Sequence, residues 1–116
     1  MLRISLIFEG SSLGTYRSKL DIIADILHVV IPGAKKTQIM YRANLSHRLL
    51  TKYLMEVREA CLVSFQRRER CYVLTSKGRE FLETYKDYAR RNKYAEKHLL
   101  DAKTRRKALE RMCSFE

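Results

Sequence analysis

One stretch constrains the fold of this chain more than any other. Residues 34–78 read AKKTQIMYRANLSHRLLTKYLMEVREACLVSFQRRERCYVLTSKG. The order is helix, tight turn, helix, hairpin tipped with arginines, then a helix cap. Pro32-Gly33 precede it and stop the helix before it, because proline removes a backbone donor and glycine relaxes the chain. A short helix is expected over residues 35–43, with Ile39 and Met40 facing inward. Asn44 suits the left-handed turn that ends such a helix. Ser46 then caps a third helix running to about residue 60.

That third helix has two faces. Leu49, Leu50, Tyr53, Leu54 and Val57 follow the spacing of a core stripe. His47, Arg48, Thr51, Lys52 and Met55 fall on the other side. Hydrogen-bond donors, two cations and one apolar group on an exposed helix are what reading base edges in a DNA groove requires. An ordinary solvated face also carries polar residues, so the preceding helix and turn matter to this reading.

Residues 61–65 and 71–74 are rich in strand formers. Between them lie Gln66, Arg67, Arg68, Glu69 and Arg70. Three arginines at a hairpin tip repel one another unless an anion lies nearby. In a DNA-binding hairpin such a tip reaches phosphates or the minor groove. Charged tips also protect strand edges from aggregation. Thr75 caps the last helix, and Gly78 in its first turn allows close approach to the hairpin.

Two further helices frame this stretch. Ser18 caps a first helix reaching about residue 30, whose polar positions Asp21, Asp25 and His28 form a narrow stripe. Its other positions are apolar over most of the circumference, so burial on more than one side is expected. The last helix continues to about Met112 without proline or further glycine. Alternate steps of four and three give Phe81, Tyr85, Tyr88, Asn92, Ala95, Leu99, Ala102, Arg106, Leu109 and Cys113, with only Asn92 and Arg106 breaking an apolar seam. That is a heptad pattern, and a lone helix would leave it wet. A second copy is the simplest partner, and Asn92 can set its register. A helix folded back over its own first helix is the alternative. Residues 1–16 form a leader whose weak alternation of Leu2, Ile4, Leu6 and Phe8 suggests an extra strand.

The expected fold class is therefore mainly α with a small β-hairpin: a winged helix-turn-helix over residues 17–78, followed over 79–116 by a long coiled-coil helix for dimerisation.

Composition agrees. The chain has 116 residues, 46% hydrophobic and 32% charged, enough for one soluble core. Its net charge of +11 repels copies of itself and attracts polyanions. The surplus is not confined to a tail. On the last helix Arg90, Arg91 and Lys93 form one basic cluster and Lys103, Arg105, Arg106 and Lys107 another; some flank the seam and others can meet DNA backbone. Cys61, Cys71 and Cys113 are an odd set without metal-ligand spacing, expected as buried, reduced thiols. No metal or other cofactor is expected. The apolar run at the N-terminus is too short for a signal peptide or a membrane span, so the expected location is the cytoplasm, without a membrane partner. No nucleophile with a paired base, glycine-rich phosphate loop or supported carboxylate pair is present, and an enzyme is not expected.

With these pieces in place, a resemblance becomes visible. RSKLDIIADIL (17–27), GAKKTQIMYRANLSHRLLTKYL (33–54) and CYVLTSKGREFLETY (71–85) resemble the ten-kilodalton winged-helix chromatin proteins of crenarchaea. They are also similar to the wider archaeal winged-helix regulators. KKTQIMYRANLS is the specific part of the match, which covers residues 17–88. Members of that family are DNA-binding dimers joined by a long antiparallel C-terminal coiled coil. The resemblance implies the same here, in nucleoid-associated form. It also implies that Lys35, Lys36, Arg42, His47, Arg48 and Lys52, with wing residues Arg67, Arg68 and Arg70, line the DNA surface. The leader and the tail after Tyr88 depart from the family pattern. A transcription regulator and a chromatin architect both fit. A protein-interaction module built on the same fold, or an RNA-binding protein, is the alternative.

Overall fold

Ser18 opens the first helix through a reciprocal cap. Its hydroxyl accepts the Asp21 amide at 3.1 Å, and the Asp21 carboxylate accepts the Ser18 amide at 3.0 Å. The computed structural model describes residues 17–113, so the strand expected over residues 1–15 lies outside the described residues. The elements are α1 (Lys19–Val29), α2 (Lys36–Arg42), α3 (His47–Glu59), β1 (Val63–Gln66), β2 (Cys71–Leu74) and α4 (Ser76–Met112). The mainly helical architecture with one hairpin and a long last helix is as expected.

The chain divides into two compact units between Leu82 and Glu83. In the first, Ile23, Ala24, Ile26 and Leu27 from α1 and Val30 just after it are buried with Ile39 of α2 and Leu50, Tyr53, Leu54 and Val57 of α3. Leu62, Val63 and Leu82 extend the core to the base of the hairpin and the start of α4. Burial on α1 is less complete than its composition suggests, because Leu20 at its start is 43% exposed and Ile22 and Val29 are only half-buried. Leu49 also departs from expectation: it is 41% exposed. At about 100° per residue it lies on the shoulder of the stripe centred between Tyr53 and Leu54, so the helix turns it out of the core.

Both helices of the helix-turn-helix end in the same device. After α2, Asn44 is left-handed at φ 55°. Its amide bonds Tyr41 O at 3.2 Å, and the Leu45 amide bonds Met40 O at 3.0 Å. After α3, Cys61 is left-handed at φ 64°. Its amide bonds Arg58 O, and the Leu62 amide bonds Val57 O. These are Schellman closures, which satisfy carbonyls left without partners at a helix end. Lys77 Nζ adds a bond to Ala60 O at 2.8 Å, placing a cation at the C-terminus of α3.

Arg17 holds the turn in place. It donates to Ala43 O at 2.7 Å and Asn44 O at 2.8 Å, and it pairs with Asp25 of α1 at 2.8 Å. Partial burial pushes the Asp25 carboxyl above its usual range, and the Arg17 bond opposes that shift without cancelling it. One guanidinium thus ties α1 to the corner from which α3 departs.

The hairpin is antiparallel with Val63 opposite Leu74 and Gln66 opposite Cys71. A bridge between Ala34 and Tyr72 widens it, with bonds of 3.0 Å and 2.7 Å in the two directions. Gly78, buried in the first turn of α4, sits directly against Leu62 and Leu74. The cysteines differ from expectation: Cys61 and Cys113 are exposed, Cys71 is half-buried, and none of the three is bridged. Cys61 is exposed because it occupies the turn after α3, outside the apolar stripe.

In the second unit no described residue is buried. The seam positions Tyr88, Leu99 and Leu109 are 49%, 58% and 63% exposed. Asn92 bonds Glu96 of its own helix at 3.4 Å, and Arg106 pairs with Glu110 at 3.2 Å. Among the described residues no helix is long and apolar enough to cross a membrane.

Candidate nucleic-acid interface

The third helix begins where Ser46 Oγ accepts the Leu49 amide at 3.2 Å, a cap that fixes which residues occupy the first exposed turn. From there His47, Arg48, Thr51, Lys52, Met55, Arg58 and Glu59 are all exposed. Helical geometry places them within an arc of about 140°, opposite the buried stripe of Leu50, Tyr53, Leu54 and Val57. Met55, 58% exposed, lies near the middle of that arc. The Thr51 hydroxyl donates to His47 O at 2.9 Å, so toward a ligand it can act only as an acceptor.

The hairpin stands beside this face. Arg58 lies over the ring of Phe65 on β1, 5.7 Å from its centre, and Phe65 packs on Tyr72 at 4.9 Å. An open groove of about 490 Å³ results, lined by Lys36 from α2, by Thr51, Leu54, Met55, Arg58 and Glu59 from α3, and by Tyr72 from β2. At the hairpin tip Arg67, Arg68 and Arg70 are exposed, and Arg70 is left-handed at φ 52°, turning the chain back into β2. Arg48, Lys52, Arg67, Arg68 and Arg70 have no carboxylate partner among the described residues. Uncompensated cations on an exposed helix and its adjoining hairpin make a surface suited to a polyanion.

The structure brings some of the sequence-derived residues together. Lys36 and Thr51 line the groove, while His47, Arg48 and Lys52 share the exposed arc with Thr51. Lys35 is exposed where its amide donates to Gln38 at 2.9 Å, at the start of α2. Arg42 is exposed at the other end of α2 and does not line the groove. Sequence reasoning missed Arg58, Glu59 and Tyr72. Arg58 continues the stripe of His47 and Thr51 by another two turns and was within reach of periodicity. Tyr72 enters only because Ala34 bridges to it, which no local pattern announces. Among the described residues no cluster of three or more His, Cys, Asp or Glu side chains could hold a metal.

This sequence of elements, with α3 beside an arginine-tipped hairpin, has a direct counterpart among known families. The family model described as winged helix-turn-helix matches residues 16–93. The chain belongs to the winged helix-turn-helix family. Among solved structures, this winged helix is similar to Sso10a-2, described as a DNA-binding protein from Sulfolobus solfataricus. The TM-score is 0.63 at 22% identity, covering 74% of this chain and 95% of the other. At that identity the likeness speaks to fold. Curated proteins gave no match. In the terms of the family, α2 and α3 form the helix-turn-helix and β1–β2 is the wing.

Proposed function

We propose that this protein is a homodimeric binder of double-stranded DNA, a transcription regulator or chromatin-architectural protein of the archaeal winged-helix kind. The observation that carries the reading is the exposed arc of α3, whose cations lack carboxylate partners among the described residues and stand beside three exposed wing arginines. In the proposed mechanism α3 enters the major groove and presents His47, Arg48, Thr51 and Lys52 to base edges and flanking phosphates. Lys35, Lys36 and Arg42 of the preceding helix meet the backbone. Arg67, Arg68 and Arg70 hold the adjacent backbone or minor groove. Binding neutralises phosphates and releases counterions. The similar Sulfolobus protein is itself described as DNA-binding, which agrees with this reading. A role at the nucleoid follows from it.

Dimerisation through α4 belongs to the same proposal. Phe81, Tyr85, Tyr88, Asn92, Ala95, Leu99, Ala102 and Leu109 form its seam, and the exposure of Tyr88, Leu99 and Leu109 in a single chain supports a partner there. A chain ending at Tyr88 should sediment as a monomer where the full chain sediments as a dimer. A truncated chain that still runs as a dimer contradicts the seam assignment.

The proposal is tested by titrating duplex DNA at several salt concentrations. The logarithm of the affinity should fall linearly with the logarithm of salt, with a slope of about −0.9 for each phosphate neutralised. Failure to shift any nucleic acid at low salt would point instead to a protein-interaction module. Preference for structured RNA over duplex DNA in direct competition would overturn the assignment to DNA.

A further inference from the structure

The second unit carries a charge pattern that a dimer seam does not explain. On the side of α4 opposite the seam, two adjacent columns recur every seven residues. From Lys86 to Arg111 they contain Lys86, Arg90, Lys93, Lys97, Leu100, Thr104, Lys107 and Arg111, with Glu83 one turn before on the same column. Six of these eight positions are cations, all exposed, and none is a carboxylate. The acidic residues of this stretch lie on other columns: Asp87 and Asp101 on one flank, Glu96 and Glu110 beside the seam.

An ordinary solvated helix alternates charge, because opposite charges at i and i+4 stabilise it and like charges destabilise it. Here the like-charged pairs Lys86–Arg90, Lys93–Lys97 and Lys107–Arg111 all stand at i and i+4. Among the described residues, Arg90 alone of the six pairs with a carboxylate, Asp87 at 2.7 Å, which also pairs with Arg91 at 2.9 Å. Glu96, Asp101 and Glu110 stand three or four residues from Lys93, Lys97 and Lys107 but on the flanking columns, so the stripe itself presents a line of positive charge that a polyanion complements. It extends about 38 Å from Lys86 to Arg111 at 1.5 Å per residue, comparable with one turn of B-form duplex, about 34 Å. Leu100 is its only large apolar side chain, too little to insert into a lipid surface.

We infer that this stripe is a second duplex-DNA surface, one that holds phosphate backbone and reads no bases, distinct from the α3 face. The inference rests on the DNA-binding reading of the first unit and is compatible with a seam closed by a second copy. With two such surfaces, a protomer engages DNA along its helix as well as at its winged domain.

The test compares two full-length variants that each lose two charges from α4, Lys93→Gln/Lys97→Gln on the stripe and Lys103→Gln/Arg105→Gln off it. All four positions are exposed; circular dichroism checks that both variants remain helical, and sedimentation that both keep the parent's oligomeric state, since Lys103 and Arg105 flank the seam. On a duplex long enough to span both units, the stripe variant should reduce the magnitude of the salt slope by about 1.8 per protomer, at about 0.9 per lost phosphate contact. The control should change it by less than about 0.5, the residue of a bulk charge effect. Equal changes in the two variants overturn the proposal. Stripe-dependent binding to phosphatidylserine vesicles without stripe-dependent DNA binding also overturns it. The same pair in an Arg48→Ala/Lys52→Ala background separates the two readings. If that background alone leaves binding unchanged, the α3 assignment fails. The stripe assignment is still judged by whether Lys93→Gln/Lys97→Gln then removes the remaining low-salt binding, as expected.

Discussion

Gly78→Ala should destabilise the winged domain by about 3–5 kcal/mol, enough to lower its melting temperature by on the order of 15 °C. The reason is space and not backbone conformation, since Gly78 lies within the α4 helix. A methyl group there would collide with the Leu62 carbonyl and come within 2.7 Å of Leu74 Cδ1. Leu74 Cδ1 is the end of a side chain that can turn aside, but the Leu62 carbonyl is held in place. Leu62 O accepts the Thr75 amide at 3.1 Å. The Thr75 hydroxyl donates to Cys61 O at 2.6 Å and accepts the Gly78 amide at 2.9 Å. Relief of the clash would therefore open the junction that joins α3, the wing and α4. The gain in helix propensity from glycine to alanine, about 1 kcal/mol, offsets only part of this. Ser76→Ala, exposed in the same turn, serves as the comparison and should stay within about 0.5 kcal/mol of the parent. Thermal or denaturant unfolding reads both; a Gly78→Ala variant as stable as Ser76→Ala would show that the packing at this junction is misassigned.

Gly78 also illustrates what the sequence makes legible. A small residue three positions after a capping threonine, just past a hairpin, has few reasons to be there other than close approach. The helix boundaries of the central stretch were readable for a similar reason: Pro32, Gly33, Asn44, Ser46 and Thr75 each act through their own backbone or nearest amides. Cys61 shows the limit of that logic. It adopts the same left-handed turn as Asn44, but cysteine has no preference for it; the closing bonds to Arg58 and Val57 impose it. Leu49 shows another limit, since a leucine on the shoulder of a stripe is decided by what packs there and not by its spacing. Arg17 could not be read at all. Its role depends on carbonyls 26 and 27 positions away, at a corner that exists only once α1, α2 and α3 have met.

The candidate interface divides along the same line. The exposed arc of α3 could be read from periodicity, because one helix determines which residues share a face. The groove could not, because Arg58, Tyr72 and Lys36 come from three elements and meet through the Phe65 ring and the Ala34–Tyr72 bridge. Local pattern thus identifies which side chains are available to a ligand, while tertiary contact decides what shape they present.

Replacing Arg48 and Lys52 together with alanine should remove much of the proposed DNA affinity at little cost to the fold. Both side chains are exposed, neither has a carboxylate partner among the described residues, and alanine is a better helix former than either. They stand one turn apart on the arc, so both can face one groove. A contact to a phosphate or base edge lost at each site corresponds to a fall in affinity of roughly 10- to 100-fold at moderate salt, and to a salt slope smaller by about 0.9 per phosphate contact. The measurement is a fluorescence-anisotropy titration of one labelled duplex with parent and double variant in the same buffer. Binding weakened by at least about tenfold, with a shallower salt dependence, is the result expected if α3 is the DNA-reading helix. A double variant that binds the duplex as tightly as the parent would contradict that claim.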